Sequence, residues 1–120
     1  MTSRDPFIAH LSELLAPLGA VSARRMFGGW GLYVDGVMIG LVAEETFYLK
    51  TDARNRAEFE QAGSAPFVFE GRGRIVETSY WSAPESAMDA ADAMRPWAQS
   101  ALEAARRKPA AKPKRKKRVS

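Results

Sequence analysis

The sequence predicts an α+β fold of two layers, an antiparallel sheet with helices packed on it, in the order α-β-β-β-α-β-β-α. Three observations carry this reading. Apolar residues recur at helical spacing near both ends of residues 1–105, alternating or continuous apolar runs fill the middle, and an Asp-Gly pair at 35–36 separates two of those runs.

The first helix is read from "RDPFIAHLSELLAPLG": Asp5 is the N-cap, Pro6 takes the first helical position, and Phe7, Ile8, Leu11, Leu14, Leu15 and Leu18 form one stripe. Pro17 and Gly19 end it. His10 falls beside the stripe and reads as a solvated surface residue, since no cysteine, second histidine or paired serine motif accompanies it.

Three strand-like runs follow, "ARRMFGGWGLYV", "VMIGLVA" and "TFYLK". Asp35-Gly36 joins the first two as a tight hairpin, because a primed two-residue turn needs positive φ at both central positions. Glu44-Glu45 connects the second to the third. In the third run Phe47 and Leu49 alternate with Thr46, Tyr48 and Lys50, so one face is expected to be buried and the other wet.

"TDARNRAEFEQAG" reads as a short helix capped by Thr51 or Asp52, anchored by Phe59 and ended by Gly63. In "APFVFEGRGRIVETSYW" Phe67 and Phe69 share a face, and the turn from Gly71 to Gly73 makes a second hairpin that ends at Trp81. The last segment places Met94, Trp97, Ala98, Ala101, Leu102 and Ala105 on one helical face. Pro96 either starts that helix within a turn or kinks it, because its ring removes the bond to Asp92.

The glycines of "FGGWG" invite a phosphate-loop reading, but such loops run from a strand into a helix N-terminus, whereas these lead into a strand and lack a Gly-Lys-Ser or Gly-Lys-Thr ending. Bent or bulged backbone with close approach at Gly28 and Gly29 is the preferred account.

Charge divides the chain in two. Residues 106–118 hold nine of the 18 Lys and Arg and none of the 14 Asp and Glu, which leaves residues 1–105 with nine bases against 14 acids, a net of −5. We therefore read 1–105 as one folded domain and 106–120 as a disordered basic segment rich in Lys, Arg, Pro and Ala, too poor in apolar residues to offset the entropy of ordering. Its cations, Arg106, Arg107, Lys108, Lys112, Lys114, Arg115, Lys116, Lys117 and Arg118, are the expected nucleic-acid contacts, non-specific and electrostatic, with a purely solubilising segment as the bland alternative.

The sequence has no cysteine and one histidine, which excludes disulfides, thiolate metal sites and His-rich clusters, so neither metal nor cofactor is expected. Asp5, Pro6 and Glu13 come too early for a signal peptide, and no apolar run reaches the roughly 18 residues of a membrane span, so a cytoplasmic protein without a membrane partner is expected. Arg24-Arg25 is either a surface pair or part of a patch for phosphate or an acidic partner. Tyr80-Trp81 reads as core plus edge rather than a base-stacking platform, and no catalytic residue stands out.

The stretches "RRMFGGWGLYVDGVMIGLV", "FYLKTD", "FEQAGSAPF" and "SYWSAPE" resemble, in order, the N-terminal domain of the TfoX/Sxy competence regulators. The residues matching that pattern are Arg24, Met26, Phe27, Gly28, Gly29, Gly31, Tyr33, Asp35, Gly36, Tyr48, Lys50, Tyr80 and Trp81. The resemblance implies a bacterial, two-layer helix-on-sheet domain that is not an enzyme and acts in transcriptional control, with a transcription-regulator protein as its partner. Fuller members continue into a second, helical domain where this sequence has its basic segment. Arg24, Arg25, Trp30 and Tyr80 are the expected partner-binding residues. The competing reading is a small enzyme or ligand-sensing module with a cleft near Trp30 and Tyr80.

Overall fold

The structure, a computed structural model, describes residues 5–26 and 28–107. Helix α1 (Pro6–Leu15) starts where the Asp5 carboxylate accepts the amides of Phe7 at 2.9 Å and Ile8 at 3.4 Å. That cap satisfies two donors the first turn leaves open, and Ile8, Leu11, Leu14 and Leu15 are buried along the stripe. A 3-10 turn (Ala16–Leu18) then leads into the sheet.

The α+β class and the sequence of helix, strand block, helix, strand pair and helix stand as expected, but the first block holds one strand more than the three read from sequence. The run 23–34 is two strands, β1 (Val21–Met26) and β2 (Gly29–Val34), paired antiparallel with Met26 opposite Gly29. The physical reason lies in the two glycines. Gly28 takes φ 77 with open space around its Cα, and reverses the chain. Gly29 has ordinary φ, but a Cβ there would fall within 3.0 Å of the Val42 carbonyl oxygen, so it permits close approach of the neighbouring strand.

Strand β3 (Val37–Ala43) follows the Asp35-Gly36 turn, with φ 51 and 80 at its two central residues. The Asp35 carboxylate also accepts the Ala20 amide at 2.9 Å, which ties this turn to the entry of β1. Strand β4 (Thr46–Lys50) follows Glu44-Glu45, where both residues adopt positive φ, 51 and 64, without glycine. Helix α2 (Arg56–Gln61) begins later than the expected Thr51 or Asp52 cap, with Asn55 at its N-cap position, because the Asp52 carboxylate accepts the Arg54 and Asn55 amides in the loop before it. Strands β5 (Pro66–Gly71) and β6 (Arg74–Ser82) form the second hairpin around Arg72-Gly73. A 3-10 turn (Glu85–Asp89) precedes α3 (Ala91–Arg106), which runs through Pro96 and begins more than a turn before it.

All six strands join one antiparallel sheet in the order β1-β2-β3-β4-β6-β5. Strand β6 thus lies between β4 and β5, and β1 and β5 are the edges. Alternation sends Leu32, Val34, Val42, Phe47, Leu49 and Trp81 to one face, where they meet Ile8, Leu11 and Leu15 of α1, Phe59 of α2, and Met94, Ala98, Ala101 and Leu102 of α3. The alanines let α3 lie close to the sheet. Phe59 is fully buried and meets the Trp97 ring edge-on at a centroid distance of 5.0 Å. No helix among the described residues is long and apolar enough to cross a membrane.

Candidate binding face

Because the helices bury their apolar residues in that one cluster, the alternate side chains of the strands form a second, open face. On that face Tyr48 of β4 stands beside Phe67 of the edge strand β5 at a ring distance of 5.1 Å, and Phe67 stacks with Phe69 at 6.1 Å. One row further along, Tyr33 of β2 pairs with Met38 of β3, and Lys50 of β4 pairs with Tyr80 of β6. The four line an open cleft of about 700 Å³ together with Gly36, Val37 and, from the last turn of α3, Ala105 and Arg106.

Its electrostatics are one-sided. The Lys50 ammonium lies 5.3 Å from the centre of the Tyr80 ring and donates to Ser79 Oγ at 2.7 Å. Burial lowers the Lys50 pKa; the Asp52 charge opposes that shift and Arg56 adds to it. Burial, followed by the neighbouring Tyr33, pushes the Tyr80 phenol up from its ordinary value, so it is neutral at physiological pH. Asp52, the acid that Lys50 feels, is engaged elsewhere. Arg107 grips it with two hydrogen bonds, Nε to Oδ2 at 2.7 Å and Nη2 to Oδ1 at 2.9 Å, and the carboxyl is held at about 2 chiefly by that contact.

The loop between β4 and α2 is fixed by Asn55, a buried side chain whose oxygen accepts the Asp52 amide at 2.7 Å and whose nitrogen donates to Ser100 Oγ at 3.0 Å. This knot joins β4, α2 and α3 behind the cleft. A second, smaller hollow of about 500 Å³ lies between α2 and α3 at Glu58, Pro96 and Trp97. No group of three or more His, Asp or Glu among the described residues could hold a metal ion.

The residues singled out from sequence are dispersed. Arg24 extends over the Tyr33 ring at 6.0 Å, on the open face. Arg25 lies over Trp30 at 5.2 Å, its partner across β1 and β2. Trp30 packs with the core and is absent from the cleft that Tyr80 lines, because alternation along β2 turns it towards the helices with Leu32 and Val34. The expected cleft near Trp30 and Tyr80 is therefore a cleft at Tyr80 alone. Trp81 lies in the core, and Tyr80 sits on an interior strand of the sheet rather than at an edge.

Of the basic residues, Arg106 is helical and lines the cleft while Arg107 is bound to Asp52, so ordered chain continues past residue 105. Lys108, Lys112, Lys114, Arg115, Lys116, Lys117 and Arg118 lie outside the described residues, as does Phe27. Sequence reasoning missed Tyr33, Met38 and Lys50 as cleft residues. The signal for Lys50 was the wet half of the "TFYLK" alternation, and both Tyr33 and Lys50 are among the residues that carry the resemblance.

The TfoX N-terminal domain family model matches residues 13–105, every element from the last turn of α1 to the last turn of α3. The chain belongs to the TfoX N-terminal domain family. It is also 29% identical over 82 residues to the DNA transformation protein TfoX1 of Aliivibrio fischeri, a match that covers 65% of this chain and 39% of that protein. The chain thus spans about two fifths of the length of that relative. The TfoX domain match includes Tyr33, Lys50 and Tyr80, and stops just short of Arg106.

Proposed function

We propose that the protein is a non-enzymatic, cytoplasmic, transcription-associated regulator, whose folded body binds a protein partner and whose basic C-terminal segment holds nucleic acid by charge. The observation that carries this reading is the direct succession of an acidic TfoX-family domain and, after Arg107, seven further Lys and Arg without one acid. Lys and Arg side chains that neutralise phosphates carry little base information, so affinity is expected with little sequence preference.

Because Arg107 is engaged by Asp52, the binding charge is assigned to Lys108 through Arg118. Full-length chain is compared with a chain ending at Arg107 on a labelled duplex across a salt series. With about five to seven phosphates neutralised, log affinity should fall against log salt with a slope of about −4 to −6, and the shortened chain should lose nearly all binding. Equal affinity of the two chains would place recognition on the folded body and overturn the assignment.

A further inference from the structure

We propose that the Tyr33, Met38, Lys50 and Tyr80 cleft takes a nucleotide unit of a single strand, its base against the tyrosine rings and its phosphate between Lys50 and Arg106. The inference rests on the nucleic-acid reading above and gives the folded body a part in it. The cleft brings two tyrosine rings and two cations together in one open hollow of about 700 Å³, with Lys50 over the Tyr80 ring and Arg24 over the Tyr33 ring. No carboxylate lines it, although the body as a whole is acidic.

Lys50 is the centre of the argument. Its ammonium is half-buried, its one hydrogen-bond acceptor among the described residues is the neutral Ser79 hydroxyl, and it forms no ion pair there. Asp52 would be the natural counter-ion, but the bidentate contact with Arg107 takes up its carboxylate. The lowered pKa of Lys50 agrees with a cation that a bound anion would relieve. Arg24 over the Tyr33 ring adds a third cation beside the cleft. Unpaired bases can present a ring face to Tyr33 and Tyr80, whereas bases inside a duplex are already stacked, so the site selects single strands. The basic stretch assigned to nucleic acid begins at Lys108, two residues along the chain from the cleft residue Arg106.

The test uses the full chain, a labelled oligothymidine strand and a duplex of the same length, at one salt concentration. Lys50→Gln and Tyr80→Leu should each weaken the single strand about tenfold and leave the duplex unchanged, while Tyr80→Phe, which keeps the ring, should retain affinity. Thymidine monophosphate and inorganic phosphate serve as competitors. Competition by the mononucleotide shows that the cleft accepts the unit free as well as in a strand, and its failure to compete assigns the cleft to strands. Competition by phosphate together with unchanged binding by Tyr80→Leu overturns the stacking role. Folded Lys50→Gln and Tyr80→Leu proteins that bind the strand like the wild type overturn the proposal, and intact duplex binding in the same experiment leaves the role of the basic segment standing. Where a variant melts early, amide shifts of Tyr33 and Lys50 in the wild-type protein decide: displacement by the strand supports the site, and unmoved signals refute it.

Discussion

Replacing Gly29 by alanine separates two jobs that adjacent glycines perform. At Gly28 the backbone is left-handed and the space is open, so Gly28→Ala meets only the conformational penalty of about 1 to 2 kcal/mol for an L side chain, less the entropy lost from the unfolded chain, about 0.4 to 1 kcal/mol. At Gly29 the conformation is permitted, but the new methyl collides with the Val42 carbonyl, and β3 must move or the pairing at the end of β2 must open. Overpacking of that kind costs about 1 to 3 kcal/mol. Because the obstacle is backbone, the upper half of that range applies. Gly31 is an internal control: a methyl there meets the mobile ends of Met26 and Met38, which can swing aside. Thermal melts should therefore rank Gly29→Ala lowest, with a midpoint drop of about 8 to 20 °C, and Gly28→Ala and Gly31→Ala nearer the wild type. A Gly29→Ala protein that melts with the wild type, or above Gly28→Ala, would refute the close-approach account.

The Glu44-Glu45 turn carries two positive-φ residues without glycine, so Glu44→Asn with Glu45→Gly should raise the urea midpoint, by about 1 kcal/mol of stability. Phe59→Ala removes the fully buried anchor of α2 and its contact with Trp97, and should cost about 3 to 5 kcal/mol in the same assay, with Phe59→Leu losing much less. Asp52→Asn should lower stability by at most about 1 kcal/mol at neutral pH, the pair with Arg107 being partly exposed to solvent. The folded carboxyl is depressed to about 2, so the difference between wild type and variant should be complete above the unfolded value of about 4 and vanish as pH falls through about 2.

Local chemistry made the helices and turns readable. The Asp5-Pro6 start and the Asp35-Gly36 turn each act within a few residues, and each stands where the sequence put it. The reversal at Gly28 was not readable, because a bend and a hairpin call for the same glycine and differ only in the φ it adopts. The cleft was hidden for a different reason. Tyr33, Met38, Lys50 and Tyr80 meet only because β6 inserts between β4 and β5, a placement that chain order does not suggest. Counting charges likewise assigned Arg107 to the basic segment, and only the tertiary contact with Asp52 returns it to the domain.

Strand β5 lends no side chain to the core, and its Val68 and Phe69, each 47% exposed, and Ile75 of β6, 72% exposed, lie outside the core cluster, toward the hairpin end. The free energy holding residues 68–77 is then that of a two-stranded ribbon, a small fraction of what holds β2, β3 and β4. One sheet is then expected to hold two cooperative units: amides at the hairpin tip should exchange with solvent through local opening, and those beneath α3 only through global unfolding. A free ribbon edge with apolar side chains is also where a second chain could add a strand, so the same economy of packing that makes the tip labile makes it the site at which concentrated protein would begin to associate.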